Sequence, residues 1–442
     1  MTDMSRVWQS GKRSERGLVL VLAVFAVTLI LVLAVGLSTA VRAELLASRT
    51  SLERAQSLFL AEAGISQARA LLLYEDPNVD TLQDPWGLDA EEPLDHPQPV
   101  GEGGYYRVRV EDACGRIDIN TADFATLAQL TGDPAVATAI IDWRTQGSLE
   151  GYYRALPYPY LPRRGAFQSP GELLLVQGVT PELYFGTKDQ SGLVNLVTVV
   201  SESANTNAQG RDRLGLQTFS SAGEEAFRKW VAEQLGNALT MYEIEEIWRG
   251  YAQLHDSGQG GYTSLAQLAT VAGLSYDKVI KVVDYLTVDR DPQGSTATRV
   301  RGKVNVNTAS AEVLAAMPGC SAGLAEEIVK HREKQPFLSL NEVAELLYSG
   351  GGGQHTFELM IDHVTTKSSC FIIDSMGYTE AGRGYRTLRA LVHRNTPRQP
   401  DQFTLYHQVI VLRQTEEDAP LPPFLTQADS GERARRFRLA AS

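Results

Sequence analysis

The chain has 442 residues, 43% hydrophobic and 21% charged, an ordinary globular composition with room for roughly two to four compact domains. Its formal net charge of −12 is the wrong sign for a surface built to hold phosphates, although a local basic patch stays open. Three scattered cysteines without a CxxC pair exclude a disulfide framework and argue against zinc; one bond, for instance Cys114–Cys370, stays open in an oxidising compartment.

Residues 17–41 read GLVLVLAVFAVTLILVLAVGLSTAV, without one charge. As a helix this run would span about 37 Å, enough for a bilayer core with some tilt. Lys12, Arg13 and Arg16 precede it, which predicts a cytoplasmic N-terminus and an exported bulk. The apolar core is too long for a secretory signal, and the small residue, Gly17, stands before it rather than after. The helix should continue past the bilayer. Residues 42–75 hold no proline, and Leu45, Leu52, Ala55, Phe59 and Ala63 recur at helical spacing until Asp76-Pro77. A plain signal anchor with a helical stalk would satisfy the same pattern.

Proline, glycine and acidic residues make 77–103 a loop. Next, YYRVRVEDA alternates as a strand, with Tyr106, Val108 and Val110 on one face and Arg107 and Arg109 on the other; GRIDI could extend the sheet. Matching signals return only near the C-terminus. SSCFIIDSMGYTEAGRGYRTLRALVHR reads as strand, glycine turn, strand, and LYHQVIVLRQ as a third strand. Strands at both ends with helices between them predict an α+β fold: one small antiparallel sheet carrying a large all-α insertion. The tail after Glu416 is proline-rich, then basic, and reads as flexible.

The middle repeats itself. IDINTAD (117–123) returns as VNVNTAS (304–310) and, worn, as LGLQTFS (214–220), each after a basic residue: Arg116, Lys303 and Arg213. The period is about ninety residues, in the manner of tandem modules. Each unit then carries an aromatic-x-Ser phrase, at Phe167, Tyr262 and Phe337, and a closing phrase: LVNLVTV, VVDYLTV or IDHVTTK. Three helical modules follow, the middle one degenerate at its opening. Thr121 and Thr308 are placed to cap the first helix, Asn120 and Asn307 suit the turn before it, and Asp123 and Glu312 complement its dipole. Phe124, Leu127 and Leu130 should point inward, as should Val313, Leu314 and Met317. Gly132 and Gly319 form the hairpins, and Val136, Ile140, Leu324 and Ile328 the buried side of the second helix.

Each of the two clear copies resembles a helix-hairpin-helix over roughly thirty residues, a motif whose hairpin amides can hold a phosphate. Its usual Gly-hydrophobic-Gly is here LTGDPA or MPGCSA: the second glycine is missing, and Asp133 brings a carboxylate. Lys330, His331 and Arg332 adjoin Glu326 and Glu327. Nucleic-acid binding is therefore disfavoured, and the phrase reads as a folding device. No metalloprotease, Walker or nucleophile-elbow motif is present, so no catalytic residue is assigned and the chain is read as a non-enzyme. SGGGGQ (349–354) reads as a flexible linker, and Asp289 and Asp291 are weak calcium candidates in an otherwise cofactor-free chain.

A basic leader ending in glycine, a membrane-to-stalk helix and a thin sheet interrupted by helical modules together resemble the K-type minor pseudopilins of type II secretion, the general secretion pathway protein K family. The stretch EGYYRALPYPYLPRRGAFQSPGELLLVQGVTPELY (150–184) is similar to that family's first helical domain, and YLTV…GKVNVNTASAEVLAAMPG to the passage into its second. The resemblance implies a leader at 1–17 cut by prepilin peptidase between Gly17 and Leu18, a transmembrane and stalk helix at 18–76, and loop and first strands at 77–119. The repeat itself sets helical module 1 at 117–204, degenerate module 2 at 205–290, an extra unit against the two helical domains common in the family, and module 3 at 300–366, followed by C-terminal strands at 367–416 and a tail at 417–442. Leu22 stands where most pilins carry a glutamate, as expected of the K type at a filament tip. Implied partners are the I-type and J-type minor pseudopilins, the major pseudopilin, prepilin peptidase and the inner membrane, with a periplasmic bulk. Leu18 replaces the family's usual phenylalanine. The residues after Asp142-Trp143 lack the acids of a family-type calcium site. The alternatives are a membrane-anchored helix-hairpin-helix DNA-binding or uptake protein and a tip minor pilin of a type IV pilus.

Overall fold

The apolar run and the proline-free stretch behind it fold as one helix, α1, Ser5–Tyr74. Beyond it an Asx turn begins at Asp76, whose carboxylate accepts from Asn78 N at 3.0 Å. The computed structural model describes residues 5–90, 94–145, 147–188, 190–217, 219–235, 238–291, 295–379, 385–395 and 408–417. The expected glycine turn at 380–384 and the tail from 418 onward lie outside these residues.

Strands β1 (Gln98–Val100), β2 (Gly104–Asp112), β3 (Cys370–Thr379), β4 (Tyr385–Asn395) and β5 (Gln408–Glu417) form one antiparallel sheet in that spatial order. The β2–β3 register runs from Asp112↔Phe371 to Gly104↔Thr379. Two strands that are neighbours in space are thus joined by residues 113–369, and the insertion springs from the middle of the sheet. Two expectations need correction. The 77–103 loop includes the edge strand β1, and Ile117–Asp118 does not extend the sheet but pairs in parallel with Val197–Thr198. On β2, Val108 and Val110 are buried as expected, but so is Arg107, because its Nε donates to Asp95 O at 2.7 Å and so pays part of the desolvation cost.

The second half of α1 lies across this sheet. Ala61, Ile65, Ala68 and Leu72 pack on Val108, Val110, Phe371, Ile373, Leu388, Ala390 and Val392, with Trp86 closing the end. Helix and sheet approach so closely that each needs a glycine at the contact. A Cβ at Gly377 would stand 2.0 Å from Ser57 O and 2.4 Å from Ala61 N; one at Gly64 would stand 2.3 Å from Ser375 Oγ.

The insertion contains three units that close in one way. Each opening phrase pairs in parallel with its own closing phrase: Ile117–Asp118 with Val197–Thr198, Leu214–Gly215 with Leu286–Thr287, Val304–Asn305 with Val364–Thr365. The next amide continues each ladder: Ile119 N to Thr198 O at 3.0 Å, Leu216 N to Thr287 O at 2.8 Å, Val306 N to Thr365 O at 3.0 Å. The helices lie between these points: α2 (Phe124–Thr131) and α3 (Pro134–Arg144), α4 (Phe219–Leu235) and α5 (Met241–Asp256), then α6 (Ala311–Ala315), α7 (Ala322–Lys334), α8 (Leu340–Ser349) and α9 (Gly353–Met360). The glycine run is therefore no free linker: Gly350 caps α8 and Gly353 begins α9. The middle unit hangs on a stem of its own, Glu202–Ala204 paired antiparallel with Arg299–Arg301. One continuous apolar core joins all three units.

Replacing Gly377 by alanine should push α1 off β3 and lower unfolding free energy by about 1–3 kcal/mol. Denaturant unfolding of the detergent-solubilised chain measures it, with Gly36→Ala as the neutral control, since nothing lies within 4 Å of a Cβ there.

Candidate functional site

Among the described residues α1 is long and apolar enough to cross a membrane, and its side chains from Leu18 to Leu37 lie exposed. Gly17, Leu18 and Leu22 sit on this uncovered part. Nearer the sheet the helix has two characters. Ala61, Ile65, Ala68 and Leu72 are buried, whereas Leu45, Leu52 and Phe59, seven residues apart, remain exposed. Heptad spacing lines up one stripe of a helix surface, the arrangement that receives a second helix.

The repeated phrases do structural work, though not all of it as expected. The helix caps fall two residues later than Thr121 and Thr308. Asp123 accepts from Thr126 N at 2.8 Å and Ser310 from Val313 N at 3.2 Å. Thr121 instead closes a turn back onto Asp118 O, and Thr308 Oγ1 donates to Asp112 Oδ2 at 2.6 Å. The shift leaves Phe124 at the first helical position, 48% exposed, while Leu127, Val136, Ile140, Val313, Leu314, Met317, Leu324 and Ile328 are buried. Asn120 and Asn307 do more than form a turn. Asn120 donates to Phe167 O at 3.0 Å and accepts from Phe167 N at 2.7 Å; Asn307 does the same with Phe337, both at 2.9 Å. Each side-chain amide replaces a missing strand neighbour for the aromatic-x-Ser phrase.

The hairpins offer little to a phosphate. Gly132 and Gly319 have φ of 69° and 76°, as tight left-handed turns require. The amides behind them already have partners: Ala135 N donates to Asp133 Oδ1 at 2.8 Å and Leu324 N to Ser321 Oγ at 3.2 Å. Arg332 is buried, with its guanidinium on the carbonyls of Val306 and Ala309, and Arg144 does the same for Ile119 and Ala122 in the first unit. These arginines bind the opening phrase from within. The calcium candidates are also engaged. Asp289 meets Lys303 Nζ at 2.7 Å, and Asp291 accepts from Ser295 N at 2.7 Å. Among the described residues no group of three or more His, Cys, Asp or Glu side chains is arranged to hold a metal.

Polar chemistry concentrates at the neck, where the insertion joins the sheet, and no sequence motif pointed to it. Asp112, the last residue of β2, accepts from Asn305 at 2.9 Å, Thr308 at 2.6 Å, Ser368 at 2.6 Å and Cys114 N at 2.7 Å. Asp80 takes both oxygens to Arg394 Nη2, at 2.7 and 2.6 Å, and accepts from Ser368 N at 2.7 Å. Burial pushes the Asp80 carboxyl up to about 7, against the pull of Arg394. Glu202 behaves oppositely. A hydrogen bond from His393 at 2.9 Å, supported by Arg299 and Arg301, holds it down at about 2.

Comparison with known proteins adds to this geometry. Residues 304–356 match the family described as Type II secretion system (T2SS), protein K. The matched stretch lies in the third unit. The match begins on Val304, the opening strand, and ends within α9. No curated protein matches the chain. Among solved structures the chain is similar to one in the GspK-GspI-GspJ complex of the enterotoxigenic Escherichia coli type 2 secretion system. The identity is 12% and the TM-score 0.45, over 84% of this chain and 99% of that one.

Asp80→Ala leaves Arg394 buried without its carboxylate and should cost about 3–5 kcal/mol in unfolding free energy, measured by denaturant titration. Glu202 sets a pH dependence of known sign. Its folded pKa lies below the ordinary 4.5, so its contribution is complete above that pH and disappears as pH falls towards 2. The stability difference between wild type and Glu202→Gln should therefore shrink between about pH 4.5 and 2 in paired acid titrations.

Proposed function

We propose that this chain is a K-type minor pseudopilin of type II secretion, seated at the pseudopilus tip. There it starts assembly with I-type and J-type minor pseudopilins ahead of the major pseudopilin. The observation that carries this reading is the double use of α1. One end is a lipid-compatible rod; the other forms the core of a small antiparallel sheet, from whose middle a bulky insertion rises. A protein K segment within that insertion supports it.

The physical parts agree with a terminal position. A helix packed among identical neighbours in lipid gains from a carboxylate near its start only if a neighbour's terminal amine meets it. Unpaired, the same carboxylate is costly, and Leu22 avoids that cost. An insertion that leaves the sheet between adjacent strands obstructs a subunit stacked above it but leaves the stalk free below. The exposed Leu45, Leu52 and Phe59 stripe suits helices of partner subunits alongside. The chain would be anchored once in the inner membrane, N-terminus cytoplasmic and bulk periplasmic, and the role requires neither catalysis nor a cofactor.

Intact-mass analysis of protein from cells with and without a prepilin peptidase tests the reading. With the peptidase, the chain should lose Met1–Gly17 and gain one methyl group on Leu18. Identical masses from both cells would remove the pilin reading.

A further inference from the structure

Two thiols meet where the insertion leaves and rejoins the sheet. Cys370 opens β3, and Cys114 lies two residues past the end of β2 in the turn Ala113–Gly115. The register pairs Phe371 with Asp112, so one further step sets Cys370 opposite Ala113, beside Cys114. Both are fully buried and unbonded to each other in this structure. They share a neighbour: Cys114 Sγ donates to Glu202 O at 3.3 Å, and the Cys370 thiol lies against the same residue's backbone, close to Cys114. Ala113 is the position facing Cys370, so Cys114 is its diagonal neighbour in the turn, and the two thiols converge on the Glu202 backbone they share; a disulfide spans Cα separations of about 4.4–6.8 Å. Cys320 is far off in the third hairpin, beside Ser321 O.

We propose that Cys114 and Cys370 are a disulfide site that locks the neck of the insertion, an inference that rests on the reading of the chain as exported. The oxidant is a disulfide-carrying exchange partner. One cysteine thiolate attacks its disulfide, giving a mixed disulfide and releasing one thiol. The second thiolate displaces the other. The neck loses two electrons and two protons, and the oxidant gains them as two thiols. Timing follows from burial, which raises the Cys114 thiol to about 12 and Cys370 higher still. A folded, reduced neck presents no thiolate, so the bond forms before the neck closes. Once formed, it spans the whole insertion and restricts the unfolded chain by an amount that grows with the logarithm of the loop length.

Peptide mapping of the full chain tests this in two preparations. Chain purified from the membranes of expressing cells is denatured without reductant and alkylated. Chain denatured and reduced is refolded with oxidised glutathione present from the start, or added only after refolding. The expected result is a Cys114–Cys370 cross-linked peptide with Cys320 alone alkylated, in the membrane-derived chain and in the early-glutathione sample but not in the late one. Three alkylated cysteines in both the membrane-derived and the early-glutathione chain, or a bond through Cys320, overturns the pairing. A link in the refolded chain without one in the membrane-derived chain keeps the pairing and overturns the export reading.

Discussion

The whole molecule hangs on one closure: β2 and β3 must find each other across the length of the insertion. The hydrogen bonds of that strand pair alone are a weak reward for so long a loop, whose closure entropy is set before any contact forms. The neck supplies the rest. Asp112 gathers donors from the end of the first strand, the third opening phrase and Ser368, while Asp80 brings the segment after α1 onto Arg394 of β4. Such groups are expensive to bury singly and are carried here as a paired set, in which Arg394 also lies over the Phe371 ring while its Nε and Nη1 make no hydrogen bond among the described residues. The neck is therefore all or nothing, and it fixes how the insertion is mounted on the sheet.

The same solution recurs on a smaller scale inside the insertion. A module of short helices has no sheet of its own to organise it, so two residues at its start pair with two at its end. The threonines of the three closing phrases, Thr198, Thr287 and Thr365, are all buried, and each accepts from the amide two residues on: Val200, Asp289 and Lys367. Where the opening phrase is intact, Asp118 and Asn305 accept from the amides of Asn120 and Asn307, which in turn hold the aromatic phrase. The middle unit has Gly215 and Gln217 at those places, and glycine has no side chain to accept the turn amide. It keeps the strand pair and gains a tether: Arg213 reaches Asp284 at 2.8 Å, fully buried. The worn phrase is thus a change in how one closure is fastened, with the closure itself retained.

Legibility followed periodicity. The long helix, the alternating strands and the threefold repeat could be read because each writes a regular pattern, and the pairing of opening with closing phrases lay behind the match in their sequences. Cap positions were misplaced because Thr121 and Asp123 are both good N-caps, and only the φ/ψ of the turn decides between them. Strand β1 was missed because Gln98–Val100 is three residues with Pro99 at its centre, too short for any pattern. The neck was invisible for a deeper reason. Its members, Asp80, Asp112, Glu202, Asn305, Ser368 and Arg394, are ordinary polar residues in separate segments, and only the fold brings them together.

The hairpins show how a shared motif can lose its ligand without losing its shape. A phosphate site needs backbone amides left open at a helix start and free cations nearby. In both clear units the side chain just behind the hairpin glycine's turn takes an amide, and an arginine in the last turn of the second helix turns inward to hold carbonyls of the opening phrase. Ala135 N, Leu324 N and both guanidinium groups thus serve the module and not an external anion. What each module offers the outside is bulk, mounted between two adjacent strands.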